Sequence, residues 1–440
     1  MSNLALEEYI EKTPRSRQLH ERACKVLPAG VTYFIRFYEP YPFYAASAQG
    51  TRVRDVDGNE YLDFWLGHTA LILGHAHPEV LEAVNIQLKQ SSLFGVPHES
   101  EVALAERIAE ALPSVEMLRF TNSGTEASMY SARLCRAYTG RAKLAKFVGG
   151  WHGGYDSLHV GVKPPVYENQ SAGLPPWIRD QVLLLPFNDL EGTESLLRKE
   201  GKQVAAVYVE PVQGAGGVVP AERDFLRGLR ELCDEVGALL VFDEVMTGFR
   251  LGYSGGQGFY GVTPDVTILG KIIGGGFPIG AFGSRREIME KLDPRGKKPR
   301  DTSFHGGTFT GNPVSCVAGT ATLDVLRRGS VYEHINALGA EVRKGLHDAF
   351  DSVGLDAHVT GEGSLFQTHF TRRPVRSAQD ALSADRALLI DYHTYLIRRG
   401  ILFLPTHAGA LAAMHSLEDV KQLIYTTEDF AREIAKKRSR

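Results

Sequence analysis

Residues 266–278 read VTILGKIIGGGFP. Four apolar or β-branched residues and a glycine lead into Lys271, and three glycines, Gly274 to Gly276, follow almost at once. A short apolar run bounded by turn signals reads as a buried strand. Its last residue is the anomaly, because an ammonium group is costly to take out of water. A lysine at the end of such a strand, against glycines that give it no side chains to pack on, is aimed at something. Taken alone, it reads first as a surface lysine whose stem covers apolar neighbours. The stretch is not a phosphate-binding P-loop: the spaced upstream glycine is missing, and Ile272 stands where Ser or Thr belongs.

The same pattern recurs outward from this stretch. MLRFTNS (117–123), LAKFVGG (144–150), VAAVYVEPV (204–212), ALLVFDEV (238–245) and DVTILGK (265–271) are short apolar runs ending in polar residues or glycine. Helical periodicity lies between them, in GTEASMYSARLCRAYTG (124–140) and DFLRGLRELCDEVG (224–237). Alternating strands and helices, with strands apolar on both faces, predict an α/β fold with a mostly parallel, helix-covered sheet. Upstream, GTRVRDVDGNEYLDF (50–64) predicts a hairpin around Asp57–Gly58. Segments 77–90 and 98–113 predict helices, and 332–440 mixes helix and strand. The organisation expected is an N-terminal segment, 1–65, belonging to a small domain; a large domain, 66–325; and the rest of the small α+β domain, 326–440.

The composition fits a folded chain of this kind. Of 440 residues, 43% are hydrophobic and 23% charged, which is ample for a sizeable core. A net charge of −3 offers no basic field for nucleic acid, and the basic end KKRSR reads as a solvated tail. Cys24, Cys135, Cys233 and Cys316 are far apart and form no CxxC pair, so neither a disulfide framework nor a zinc site is expected. The N-terminus lacks the apolar core of a signal peptide, and no run of about 18 apolar residues exists. A cytoplasmic protein is the expectation.

In a parallel sheet, ligands bind beyond the carboxyl ends of the strands. There the sequence collects Ser123-Gly124-Thr125, the Gly149–His152 segment, Glu210, Asp243 and Lys271. Ser123, Gly124 and Thr125 open a helix, where free N–H groups and the helix dipole favour an anion such as phosphate; an ordinary helix cap has the same composition. Asp243 ends the run ALLVFD, where a carboxylate needs a cation or donors. A strand-end aspartate capping a loop would look alike. A lysine amine in a partly buried site can attack an aldehyde and form a Schiff base. An anion cup, a buried acid and an amine together suit a ligand with a phosphate, a basic ring nitrogen and an aldehyde. Pyridoxal 5′-phosphate is that ligand. Trp151, in GGWHGG, offers an aromatic face for its ring, or is simply a core or lid aromatic.

With these residues in view, NSGTEA, GGWHGG, VEPVQG, VFDEVMTGFR, LGKIIGGGFPIGAFG and GGTFTGNP together resemble the motif set of the class III aminotransferases. The resemblance runs from about residue 25 to the C-terminus and implies the type I pyridoxal-phosphate transferase fold. It implies that Lys271 is the lysine that holds the cofactor as an aldimine and later moves the proton, and that Asp243 keeps the pyridine nitrogen protonated. Ser123, Gly124 and Thr125 would form the phosphate cup, Trp151 would stack on the ring, and Glu210 would belong to the cofactor site. Thr308 would reach the phosphate of the neighbouring subunit, which implies a homodimer with shared sites.

Within the class, ALILGHAHPEV and NSGTEASMYSARLCRAYTGR are similar to the glutamate-1-semialdehyde aminomutase branch. Three places depart from it. The Asn–Ser–Pro–Val–Arg loop is replaced by TYFIR (32–36), keeping only Arg36. Ala215 stands for an Asn, and LPTHAGALAAMHS (404–416) has no acid. These departures resemble the neighbouring aminotransferases for D-phenylglycine and β-phenylalanine. Tyr33, Phe34, Phe37 and Phe94 would suit an aromatic side chain, and Arg36 would pair with a substrate carboxylate. The expectation is therefore an aminotransferase between an apolar or aromatic amino acid, D- and β-forms included, and a keto acid. The aminomutase, which moves an amine within one substrate, is the alternative.

Overall fold

The computed structural model describes residues 3–163 and 171–438. Of the basic end, Ser439 and Arg440 lie outside the described residues, while Lys436–Arg438 close the helix Leu417–Arg438. The chain divides into two compact units, residues 78–333 with 375–382, and residues 1–77 with 334–374 and 383–440.

The first of these units holds a seven-stranded sheet. Its strands lie in the order Met117–Thr121, Gly280–Ser284, Val266–Gly270, Leu239–Asp243, Val204–Val209, Lys143–Phe147 and Val182–Leu185. Gly280–Ser284 runs antiparallel to both its neighbours, and the pairings among the other strands are parallel. The sheet is thus mostly parallel, as the alternation of short apolar runs and helices implies. GAFGS carries two glycines and no alternation, so it gives little strand signal. Its place is set by its neighbours: Gly280 pairs with Thr121 on one side and with Gly270 on the other.

Val207, Val241, Val266, Ile268 and Phe282 have no exposed surface, which explains the near-continuous apolar runs. Each such side chain contributes about 1.5–3 kcal/mol on burial. The helix Gly124–Thr139 packs against this core through Ala127, Tyr130, Leu134 and Cys135. It begins at Ser123, whose side chain accepts from Glu126 N, and ends at Gly140 in the left-handed region (φ +69°). The helix Arg223–Val236 ends the same way at Gly237.

In the second unit the hairpin is present, with Arg52–Asp55 antiparallel to Glu60–Asp63. Asp55 fixes its turn by accepting from Asp57 N, Asn59 N and the Tyr61 hydroxyl at 2.9, 2.8 and 3.0 Å. Ala45–Gln49 adds an antiparallel strand on one side, and Ile401–Leu402 a parallel one on the other.

Candidate functional site

Lys271 directly follows the strand Val266–Gly270 and starts a short 3₁₀ turn, Lys271–Gly274. Its φ is +50°, a conformation that a residue with a β-carbon rarely adopts. Such strain persists where surrounding structure enforces it, and it concentrates at functional sites. Burial lowers the amine pKa; nearby Asp243 and Glu210 pull it back up, and Arg250 adds to the lowering. The free-amine form is thus more accessible here than on a surface lysine.

Asp243 ends the adjacent strand and is 4% exposed. One oxygen accepts from Val245 N at 3.1 Å. The other lies 2.7 Å from His152 Nδ1. Burial depresses the His152 pKa against the pull of Asp243, so the ring is neutral with its Nδ1 proton donated to the carboxylate. His152 Nε2 is buried and has no hydrogen-bond partner among the described residues.

Glu210, just past the strand Val204–Val209, ties the same group together. Its two oxygens accept from Trp151 N at 2.7 Å and from Gly214 N at 3.0 Å. Burial, and then repulsion from Asp243, push its carboxyl up to about 8. The Trp151 ring meets His159 edge-on, with centroids 5.3 Å apart.

The anion-cup residues lie next to this cluster through Gly280. A β-carbon at Gly280 would lie 2.2 Å from Ser123 O, so only glycine lets the Ser123 turn approach this strand. A β-carbon at Gly124 would lie 2.9 Å from Val245 Cγ2, and one at Gly270 would lie 3.3 Å from Val245 Cγ1. Val245 therefore sits between the helix start and the lysine strand. At Gly153 a β-carbon would lie 2.4 Å from Thr125 Oγ1, which brings the Trp151–His152 loop onto the same helix start. Ser123 caps that helix, and the first-turn N–H groups have no intrahelical acceptors.

The structure thus gathers Lys271, Asp243, Glu210, Trp151 and Ser123–Thr125 within one unit. Thr308 lies in the same unit, exposed, in the turn after Gly307. Arg36 belongs to the other unit; it is exposed at the end of a 3₁₀ turn, with Nη1 donating to Thr32 Oγ1 at 3.0 Å. Sequence reasoning gave no roles to His152 and Val245. A histidine in the segment that closes a strand was a visible signal for the first. Val245 lies two residues past Asp243 and carries no polar atom to flag it.

The chain belongs to the class-III aminotransferase family, which matches residues 33–424. It is 42% identical over 420 residues to the glutamate-1-semialdehyde 2,1-aminomutase of Methanothermobacter thermautotrophicus, covering 94% of this chain and 98% of that protein. Relatives between 39% and 44% identical carry the same name. Among solved structures, an omega-transaminase from Sphaerobacter thermophilus superposes with a TM-score of 0.90 at 40% identity, covering 96% of this chain and 98% of that one. A transaminase with PLP bound also gives 0.90, at 35% identity, covering 97% and 99%.

These relatives correct the expectation of an aminotransferase working between an apolar or aromatic amino acid and a keto acid. Matches of this identity over nearly the whole chain favour the aminomutase alternative. The reason lies in where the two signals sit. Lys271, Asp243 and the anion cup serve either reaction. The departures at 32–36 and at Ala215 fall in turns, and those at 404–416 lie mostly in loop on either side of the short strand Gly409–Ala410; such connecting segments vary more readily than the elements they join.

Proposed function

We propose that this protein is a glutamate-1-semialdehyde 2,1-aminomutase, shifting the amine between adjacent carbons of one substrate to give 5-aminolevulinate. The likeness over more than nine-tenths of the chain to relatives of that name carries the reading. The cofactor is pyridoxal 5′-phosphate. When bound, it supplies an electron sink for the substrate carbon that loses a proton.

The residues present fit that group. The Ser123–Thr125 helix start offers N–H donors and the positive end of a helix dipole to a phosphate. Asp243, oriented by His152, holds the proton on a ring nitrogen. Glu210 fixes the backbone of Trp151 and so the placement of an aromatic wall. Lys271 would hold the cofactor and move protons at the substrate carbons; its lowered pKa suits a base near neutral pH. Arg36 pairs with the substrate carboxylate. Thr308 serves the phosphate of a second subunit in a homodimer. Exposed Phe304 and Phe309, 69% and 57% accessible on either side of Thr308, support a partner surface there. The cytoplasm is the proposed compartment, consistent with four free thiols.

The purified protein given glutamate 1-semialdehyde alone is expected to form 5-aminolevulinate. A strict requirement for an added keto acid, with no product in its absence, overturns the reading.

A further inference from the structure

Lys146 lies in the strand Lys143–Phe147 and is wholly buried, 0% exposed. It pairs in register with Tyr208, which pairs in turn with Val241. Glu210 and Asp243 each lie two residues beyond those partners and so face the same side of the sheet, one pleat repeat (about 6.5 Å) nearer the site. The Lys146 ammonium group therefore sits behind the two carboxylates. Its Nζ donates to Gly150 O at 2.7 Å and to Leu158 O at 2.8 Å. Those carbonyls lie at the two ends of the segment that carries Trp151, His152 and Gly153.

We propose that Lys146 is a positioning residue of the cofactor site: it clasps both ends of the 150–158 loop and is the buried cationic partner of the Asp243 and Glu210 carboxyl pair. Without it, Asp243, the carboxyl group of Glu210 and a neutral His152 would share a dry site whose other lysine, Lys271, is proposed to hold the cofactor. The groups facing Lys146 are Glu210, Asp243, His152 and His159. Burial lowers its own pKa to about 7, while Glu210 and Asp243 favour the charged form. The inference rests on the cofactor assignment in the proposed function, and its test separates the two. Failure of the wild-type protein to bind pyridoxal phosphate refutes that assignment, whereas the comparison below assumes that binding and examines Lys146 alone.

The experiment compares wild type with Lys146→Met, which keeps the volume, and Lys146→Gln, which keeps a donor but no charge. Three quantities are read: cofactor affinity by titration, amide hydrogen exchange over 150–159, and the pH midpoint of the absorbance of the Lys271-bound cofactor. Lys146→Met is expected to bind cofactor about tenfold more weakly and to lose exchange protection in the loop. Loss of a nearby cation favours the protonated bound cofactor, so the midpoint rises in both variants, by about 0.5–1 pH unit. Lys146→Gln is expected to recover part of the loop protection while keeping the raised midpoint. A purely structural lysine leaves the midpoint unmoved. An unmoved midpoint in either folded variant, or wild-type loop protection in Lys146→Met, overturns the proposal.

Discussion

His152 Nδ1 stands 2.7 Å from Asp243 Oδ2, both groups buried, with the second Asp243 oxygen taken by Val245 N. A carboxylate held on both oxygens has one orientation to offer a ring nitrogen. Removing the histidine leaves one oxygen buried without its donor, a loss of about 1–3 kcal/mol. His152→Leu is therefore expected to lower cofactor affinity roughly ten- to hundredfold. His152→Asn places an amide donor near the former Nδ1 and is expected to recover part of that loss. Titration of each apo-variant with pyridoxal phosphate measures both effects.

Lys271→Ala removes the amine proposed to hold the cofactor and to move the proton. Product formation from glutamate 1-semialdehyde is expected to fall by at least about 10³-fold, within the range of about 10²–10⁴ for loss of a general acid–base group. The absorbance of covalently held cofactor disappears with it. Stability changes little, because alanine meets the same left-handed backbone penalty as lysine and the substitution removes an amine that burial disfavours in its charged form. Turnover near wild type in the variant removes the basis for placing chemistry at this strand end.

Glu210 makes stability depend on pH in a direction opposite to that of an ordinary ion-paired carboxylate. Its folded-state pKa, about 8, lies above the unfolded value of 4.5. The folded apo-protein thus keeps a proton that the unfolded chain releases. That stabilisation is full below pH 4.5 and is lost as pH rises to about 8. Glu210→Gln, which imitates the protonated form, is expected to flatten the decline. Urea unfolding of apo wild type and variant at several pH values reads the difference, which should reach on the order of 2–4 kcal/mol by pH 8. A constant difference across the range contradicts the buried placement of this carboxyl.

Gly280 and Gly154 offer a paired test of how backbones approach at the site. A β-carbon at Gly280 would collide with Ser123 O at 2.2 Å, and backbone cannot give way as a flexible side chain does. Gly280→Ala is expected to cost at least about 2 kcal/mol and to weaken cofactor binding. At Gly154 nothing lies within 4 Å of an added β-carbon, so Gly154→Ala should stay within about 0.5 kcal/mol of wild type. Thermal unfolding of the two apo-variants reads the contrast.

What could be read in the chain beforehand follows from which signals are local. Strand ends are local, so Asp243 and Lys271 stood out as polar residues closing apolar runs. Ser123 was readable as a helix start because capping uses adjacent residues. The pairing of His152 with Asp243 joins positions 91 residues apart, and no local pattern encodes it. The strand Gly280–Ser284 is placed by two neighbours rather than by its own composition. The aminotransferase expectation rests on three short segments, 32–36, Ala215 and 404–416, none of which sets the architecture of the seven-stranded sheet. Loop side chains such as Tyr33 and Phe34 change with little consequence for the fold, so their departures carry less weight than the likeness of the remaining chain.

The proposed pairing of Arg36 with the substrate carboxylate gives a test that separates substrate recognition from chemistry. Arg36 is exposed, and its hydrogen bond to Thr32 Oγ1 is a neutral contact four residues away. A guanidinium held this lightly gives up little on meeting a carboxylate, and the planar fork matches both carboxylate oxygens. Binding of this kind is the same in the ground and transition states, so its loss raises KM and leaves kcat nearly unchanged. Arg36→Leu is expected to raise the KM for glutamate 1-semialdehyde by roughly ten- to hundredfold, with kcat within a few-fold of wild type. Cofactor affinity should not move, which distinguishes this variant from those at His152. Arg36→Lys keeps the charge but not the fork, and should fall between wild type and Arg36→Leu. Steady-state kinetics of the three proteins decide the matter: an unchanged KM in Arg36→Leu means that another group holds the substrate carboxylate.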